Sequence, residues 1–444
     1  MIELKIKPQL PGIIKGRNNE LYALVKATGT GDQQNIGESP PLNLAIVIDR
    51  SGSMAGVPLE EAKKSAIFIV DKLRATDRVA IITYDTFARV LIPTQQCINK
   101  AAIVETILSI NPGGSTDLHG GWLLGAEEVA RHKSTNSLNR VLLLSDGNAN
   151  SGETSRQIIT EQCSELANVG IITSTYGLGY SFNEALMIDM ARSGLGQGYY
   201  GETAEDLLDP FQEEFDLLTK TIAWNLKLKA EAPSFVKFKL MNKFKPVQGT
   251  SDRWHLPDIA EGGDAWALFK LEIDEVENQI GPIEVLRCSM SYQTKVEGNT
   301  VIERTDPVKL MIDRVDPNAH ATFAEDEEVK RRLDEILIAN LQDEARRASI
   351  RGNWVRVDEI ILRAKTIAGT DEWLQGSLDE LQRYAKLRRR DEFSKGAMYN
   401  SDKMHRRLSS DTELGSMAYN VSEELDKHAY LRRKMNRGKR MPRN

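Results

Sequence analysis

The chain contains 444 residues, of which 41% are hydrophobic and 27% are charged, and its formal net charge is −6. This length allows about three domains, and the ordinary composition excludes a fibrous, collagen-like or wholly disordered protein. The acidic balance disfavours a globally basic nucleic-acid-binding protein.

The three cysteines, Cys97, Cys163 and Cys288, are far apart and match no metal-binding or redox spacing. Such a sparse, odd set is typical of a reducing compartment rather than of a disulfide framework. The N-terminal residues lack the apolar segment of a signal peptide. No window reaches the roughly 18 consecutive apolar residues that a transmembrane helix requires. We therefore expect a cytoplasmic protein without membrane insertion.

Two separated regions of the chain predict β-strands. Short alternating runs, divided by Pro and Gly, predict strands in residues 1–40. A second set of alternating runs occupies residues 224–315 and is typical of an antiparallel sandwich. Because the N-terminal strands have no sheet of their own, we expect them to pair with the later set in a split β-sandwich.

The intervening region, residues 42–221, predicts an α/β domain. Continuous apolar runs, such as LNLAIVI from Leu42, alternate there with amphipathic helices. Strands of this kind are typical of a parallel sheet that is buried on both faces. The run ARVLIPT predicts an antiparallel edge strand, and Ala204–Thr221 predicts a closing helix. The predicted fold class is therefore α/β: a doubly wound, mainly parallel, Rossmann-like sheet inserted into a β-sandwich.

The C-terminal part predicts helices followed by a basic tail. Apolar periodicity predicts three helices in residues 320–392, and the composition of residues 393–444 predicts a partly disordered tail. Six residues near its end are basic: Arg432, Arg433, Lys434, Arg437, Lys439 and Arg440. Such a cluster can bind nucleic acid, acidic protein or anionic lipid, although a solubilising tail explains it equally well.

The first apolar strand of the α/β region ends in an oxygen-rich loop. Asp49, Ser51 and Ser53 alternate there, and Gly52 allows a tight turn. Ligand sites in parallel sheets lie at the carboxyl ends of the strands. Hard oxygen ligands favour Mg²⁺. The pattern therefore predicts a divalent-cation site at this position.

Two further loops supply matching oxygens. The sequence NPGGST, which ends at Thr116, precedes a predicted helix, and Asp146 follows the third apolar strand. In a parallel sheet all three loops would lie at the same edge. Together they would bring two carboxylates and three hydroxyls to one cation.

These segments, DRSGSM, GGST and LLLSDGNAN, resemble the von Willebrand factor A (VWA) family and its metal-ion-dependent adhesion site (MIDAS). The resemblance covers about residues 42–220 and implies five metal ligands: Asp49, Ser51, Ser53, Thr116 and Asp146. It implies Mg²⁺ as the cofactor, with Mn²⁺ or Ca²⁺ as alternatives. Ser115 is an alternative to Thr116 as the hydroxyl ligand of this loop. Asp117 is less favoured than either, because it is expected to cap the following helix.

The resemblance implies metal-dependent protein binding. In the family the hydroxyls contact the metal, and a carboxylate of the partner fills its open coordination position. We expect an adaptor or accessory subunit of the cytosolic bacterial type, similar to proteins that act in stress or defence or beside an AAA+ ATPase. We expect no enzymatic activity, because no nucleophile or P-loop motif is present. The alternative is a nucleic-acid-associated scaffold that binds through the basic tail.

Overall fold

The computed structural model describes residues 2–30, 40–178, 183–201, 220–275, 281–296 and 298–406. The strands are β1 (Ile2–Pro8), β2 (Gly12–Ile14), β3 (Asn19–Gly29), β4 (Leu42–Asp49), β5 (Arg78–Tyr84), β6 (Ala88–Gln96), β7 (Leu138–Ser145), β8 (Ile171–Leu178), β9 (Leu195–Gly201), β10 (Thr221–Glu231), β11 (Val236–Leu240), β12 (Arg253–Leu256), β13 (Ile259–Ala260), β14 (Asp264–Ile273), β15 (Gly281–Val296), β16 (Asn299–Arg304) and β17 (Val308–Val315). The helices are α1 (Val57–Lys72), α2 (Lys100–Leu108), α3 (Leu118–Arg131), α4 (Arg156–Asn168), α5 (Glu184–Ser193), α6 (Pro317–His320), α7 (Glu327–Ile350), α8 (Trp354–Ala368), α9 (Glu372–Lys386) and α10 (Arg390–Arg406). The predicted closing helix, Ala204–Thr221, falls almost wholly outside the described residues.

One of two compact units contains the described parts of residues 36–221 and 295–300. Its six-stranded sheet has the order β6-β5-β4-β7-β8-β9. Adjacent strands are parallel except for the antiparallel pair β5 and β6. Every residue of β4 is buried, and all except Asn43 and the terminal Asp49 are apolar, as expected for a strand that is covered on both faces. The prediction of a mainly parallel α/β sheet with an antiparallel edge strand is therefore confirmed.

Helix α3 packs closely on this sheet because two glycines face it. A Cβ atom on Gly121 would lie 2.3 Å from Tyr84 Cδ1, and one on Gly125 would lie 2.5 Å from Val47 Cγ2. Between them, the fully buried Trp122 donates a hydrogen bond from Nε1 to Thr173 Oγ1 at 3.0 Å. These contacts fix the start of α3, which begins two residues after the predicted ligand Thr116.

The other unit contains the described parts of residues 1–35, 222–294 and 301–406. Its first sheet has the order β1-β3-β14-β11, and all of these pairings are antiparallel. Its second sheet has the order β12-β10-β15-β17-β2, with β13 on β10 and β16 on β15. Strands of residues 1–29 thus pair with strands that follow the α/β region. Side chains of both sheets, among them Leu21, Leu228 and Ile312, share one hydrophobic core.

The helical region continues this second unit. The N-terminal part of α7 packs Val329 and Ile336 in a cluster that contains Trp266 of β14. The remainder of α7 forms a separate core with α8, α9 and α10. The prediction of a helical C-terminal region is therefore confirmed. Among the helices that the structure describes, none is long and apolar enough to cross a membrane.

The predicted boundary of the tail at residue 393 is wrong, because α10 extends the helical region to Arg406. Phe393, Ala397 and Met404 are buried in the helical core. The rings of Phe393 and Trp354 pack edge to face, with centroids 5.9 Å apart. The polar composition of this segment did not predict a helix, because only a few well-spaced residues form its apolar face. The six basic residues from Arg432 to Arg440 lie outside the described part of the chain.

Candidate metal-binding site

The predicted ligands lie at the carboxyl ends of adjacent parallel strands. Asp49 ends β4, and Asp146 directly follows the last residue of the neighbouring strand β7. The register pairs Ile48 of β4 with Leu144 of β7, so the two strands end side by side. The sheet therefore brings the first and third predicted loops to one edge.

Asp49 is fully buried, and both of its carboxylate oxygens accept hydrogen bonds. Oδ1 accepts the Ser51 N–H at 2.9 Å, and Oδ2 accepts the Ser145 hydroxyl at 2.7 Å. The Tyr84 hydroxyl lies 3.0 Å from Oδ2 and 2.8 Å from Ser145 Oγ. These donors hold the carboxylate in one orientation at the end of the sheet.

The charge of Asp49 is only partly compensated. Burial and, to a smaller extent, the nearby Asp146 raise the pKa of its carboxyl to about 6, against the opposing effect of hydrogen bonds from Ser145 and Ser51. Within the described ranges, no Lys or Arg pairs with Asp49 or Asp146. Burying carboxylates without a counter-charge is costly. A bound cation would compensate this buried negative charge.

The two serines of the first loop have a suitable separation for metal ligands. Ser51 Oγ and Ser53 Oγ are 3.2 Å apart. Adjacent oxygens around Mg²⁺ are about 3 Å apart when each metal–oxygen bond is ~2.0–2.1 Å. Ser51 is buried, whereas Ser53 is exposed to solvent. The two serines thus extend from the buried interior of the site to the surface of the domain.

Backbone hydrogen bonds fasten the second loop to the first. Gly113 N–H donates to Arg50 O at 2.6 Å, and Gly52 N–H donates to Gly114 O at 2.8 Å. These reciprocal bonds place the second loop, residues 111–116 (the Gly-rich loop), directly against the first, residues 49–53 (the serine loop). Two of the glycines pack closely on the residues that follow β5: a Cβ atom on Gly113 would lie 2.0 Å from Asp85 Oδ2, and one on Gly114 would lie 2.6 Å from Thr86 Oγ1.

The loop after β7 is fastened to Thr116. Thr116 N–H donates to Asn150 Oδ1 at 2.8 Å, and Asn150 N–H donates back to Thr116 O at 3.1 Å. Thr116 is buried, whereas Ser115 is exposed. Asp117 accepts the Gly120 N–H at 2.9 Å and so caps α3, which confirms the expectation for that residue. The structure therefore brings the three predicted loops together through hydrogen bonds.

The donor chemistry fits a hard divalent cation. Within the residues described, no group of three or more His, Cys, Asp or Glu side chains forms a metal cluster. The predicted set is of a different kind, with two carboxylates and three hydroxyls. All of its members offer oxygen atoms, the Ser51 and Ser53 oxygens lie at a ligand-like separation, and the negative charge of Asp49 is only partly compensated. These are the properties that Mg²⁺ selects.

Several residues at this edge were missed by the sequence analysis. Tyr84 and Ser145 contact the Asp49 carboxylate, Asn150 binds the Thr116 backbone, and Arg50 pairs with Asp85. Tyr84, Asp85 and Ser145 lie at the carboxyl ends of predicted buried strands, and that position was the available signal. Nothing local in the sequence marks Asn150.

Comparison with known proteins identifies the family of the α/β region. Residues 43–213 match the family described as von Willebrand factor type A domain. The uncharacterized protein sll0103 of Synechocystis is 28% identical over 61% of this chain and 66% of its own length. The uncharacterized protein YfbK of Escherichia coli is 30% identical over 58% of this chain and 46% of its own length. This chain thus matches less than two thirds of the length of each relative.

A solved structure shares the fold of most of the chain. It is titled "von Willebrand factor type A from Catenulispora acidiphila", and it aligns with a TM-score of 0.70 at 16% sequence identity. The alignment covers 85% of this chain and 89% of that one. The resemblance of the α/β region to the von Willebrand factor A family is therefore confirmed: residues 43–213 of this chain form a von Willebrand factor type A domain.

Proposed function

We propose that the VWA domain is a metal-dependent protein-binding module. Asp49, Ser51, Ser53, Thr116 and Asp146 would hold Mg²⁺, with Mn²⁺ or Ca²⁺ as alternatives. A bound Mg²⁺ would supply a Lewis-acidic coordination position for a carboxylate oxygen of the partner. The observation that carries the proposal is the buried Asp49 carboxylate, which has hydroxyl donors around it and no cationic side chain paired with it within the described ranges.

The chain's own residues would perform the remaining tasks. Ser145 and the Ser51 N–H orient Asp49, and the exposed Ser53 hydroxyl faces the solvent side from which a partner would approach. The bonds between Thr116 and Asn150 hold the hydroxyl-bearing loop in place. The protein's own residues would therefore contact the metal from the buried side of the site, and a partner's Asp or Glu would contact it from the solvent side.

We further propose a biological setting. The chain would act as a cytoplasmic, non-enzymatic adaptor or accessory subunit, for which an AAA+ ATPase is one candidate partner. We also propose that the two sheets of the second unit form a β-sandwich into which the VWA domain is inserted in sequence. Neither the described residues nor the relatives favour the alternative of a nucleic-acid scaffold.

Two linked experiments test the proposal. Isothermal titration of the metal-free full chain with Mg²⁺ should give saturable binding, which Asp49→Ala abolishes. Affinity capture from source lysate should then retain a protein on the wild-type chain in Mg²⁺, but not in EDTA or on Asp49→Ala. The control variant Asp189→Ala removes a carboxylate that pairs with Arg156. It should behave as wild type in both experiments. Equal capture by all baits, with or without Mg²⁺, would contradict the metal mechanism.

A further inference from the structure

A largely buried ion pair lies within the loops of the candidate site. Arg50 stands between the predicted ligands Asp49 and Ser51, and its guanidinium pairs with the carboxylate of Asp85. The Asp85 side chain is 9% exposed and that of Arg50 is 21% exposed. Arg50 also donates from Nη1 to Asn111 O at 3.1 Å. One side chain of the serine loop thus contacts both the end of β5 and the start of the Gly-rich loop.

Asp85 makes the complementary contacts. Its carboxylate accepts the N–H of Phe87 at 3.1 Å and a backbone hydrogen bond from Gly114. Its carbonyl oxygen accepts the Asp117 N–H at 2.8 Å. Asp85 therefore binds the chain on both sides of Ser115 and Thr116. A Cβ atom on Gly113 would lie only 2.0 Å from Asp85 Oδ2, which shows how closely the Gly-rich loop packs on this carboxylate.

We infer that Arg50 and Asp85 are positioning residues. They hold the serine loop, which carries the Ser51 and Ser53 hydroxyls, at a fixed distance from Thr116 in the Gly-rich loop. The inference rests on the proposed metal-binding function and extends it to two residues that would not touch the metal. A charge pair shielded from solvent is weakly screened and holds its partners in a defined geometry. Since each partner also binds backbone of the Gly-rich loop, loss of either should release that loop from the serine loop.

A second ion pair beside the same strand provides a matched control. Asp77 lies directly before β5, whereas Asp85 lies directly after it. Asp77 Oδ1 is 3.0 Å from Arg74 Nη2. Asp77 is buried, and its Oδ1 accepts the Leu42 N–H at the start of β4. The Arg74–Asp77 pair therefore fastens the ends of the strands that lie away from the candidate site. Its loss should lower stability without changing metal affinity.

The test is Mg²⁺ titration of the full chain and of four variants: Arg50→Ala, Asp85→Asn, the combination of these two, and Arg74→Ala. Each of the first two should weaken Mg²⁺ binding about tenfold or more, as loss of a residue that orients metal ligands generally does. The combined variant should weaken it no further than the stronger single variant, because the pair acts as a unit. Arg74→Ala should keep the wild-type affinity even though its melting temperature falls.

Hydrogen exchange of the metal-free proteins gives a second measurement. The amides of Gly52 and Gly113, which bridge the two loops, should exchange faster in Arg50→Ala than in wild type and in Arg74→Ala. Unchanged exchange, unchanged affinity in either single variant, or additive losses in the combined variant would overturn the inference while leaving the metal site standing. Absence of Mg²⁺ binding to the wild-type chain would overturn the proposed function and this inference together.

Discussion

The Ser145 hydroxyl donates a hydrogen bond to Asp49, with 2.7 Å between Ser145 Oγ and Asp49 Oδ2. The two residues end neighbouring parallel strands and are 96 positions apart in the chain. The same Ser145 oxygen accepts the Gly147 N–H at 2.8 Å. Ser145 therefore links one predicted ligand to the backbone that follows another, Asp146, and it does so without being a predicted ligand itself.

Replacing Ser145 by Ala should weaken Mg²⁺ binding. The change removes a donor that orients Asp49, and such losses lower metal affinity by about 10–100-fold. The lost hydrogen bond should also lower the free energy of unfolding by about 1 kcal/mol. Titration calorimetry and urea denaturation measure the two effects. Ser65→Ala is the control, since the Ser65 hydroxyl is buried in α1 without a partner among the described residues. Equal metal affinity of the two variants would contradict the role assigned to Ser145.

The choice of hydroxyl ligand in the Gly-rich loop can be decided by two single substitutions. Thr116→Ala should reduce Mg²⁺ affinity at least about tenfold, because it removes an oxygen of the proposed ligand set. Ser115→Ala should keep the wild-type affinity, since Ser115 is exposed and its N–H binds Thr86 Oγ1 at 3.1 Å through the backbone alone. Titration of both variants with Mg²⁺ compares them directly. The reverse order of effects would assign the ligand to Ser115.

The close contact between α3 and β4 should make Gly125 intolerant of a side chain. Gly125→Ala would place Cβ 2.5 Å from Val47 Cγ2. Overpacking of this kind costs about 1–3 kcal/mol. In the double variant Val47→Ala/Gly125→Ala the clash is relieved, so the two changes together should cost less than the sum of their separate effects. Urea denaturation of all three variants measures this coupling, and simple additivity would contradict it.

His255 should make the protein less stable in acid. Burial lowers the pKa of its imidazole from 6.5 to about 4, and the positive charges of Lys227 and Lys245 act in the same direction. The unfolded state therefore binds a proton that the folded state excludes. The stabilising effect is fully present above pH 6.5 and is lost as the pH falls from about 6.5 towards about 4, by at most ~3.5 kcal/mol at about 1.4 kcal/mol for each pH unit.

Urea denaturation across this pH range tests the assignment of the acid sensitivity to His255. His255→Gln should flatten the pH dependence of the free energy of unfolding between about pH 4 and 6.5. The exposed residue His132 provides the control, and His132→Gln should keep the wild-type profile. If His255→Gln keeps the wild-type slope, the acid sensitivity arises elsewhere.

The α10 helix should contribute to the stability of the helical core. Phe393 is fully buried against Trp354, and Phe→Ala at such a position costs about 3–5 kcal/mol. Phe393→Ala should therefore lower the melting temperature clearly. Leu387→Ala, which truncates a side chain that is 57% exposed, should change it little. A melting temperature of Phe393→Ala equal to that of the Leu387 variant would contradict the packing of α10.

The sequence alone predicted those features of the fold and the site that depend on neighbouring residues in the chain. Predominantly apolar runs such as β4 predicted buried parallel strands, because a strand covered on both faces does not alternate between apolar and polar residues. The positions of Asp49 and Asp146 after such strands predicted a shared edge, which the register of β4 and β7 confirms. Likewise, Asp117 was recognisable as a helix cap, since capping depends on a few neighbouring residues.

Tertiary structure decided the features that depend on strand order and packing between distant segments. Strand order joined Ser145 to Asp49 and brought Arg50 to Asp85, two contacts that no local pattern encodes. Packing against the other helices turned the polar segment around Phe393 into α10. Periodicity and turn chemistry fix which segments become strands and helices, whereas the partner of each buried polar or apolar side chain depends on segments that meet only when the chain has folded.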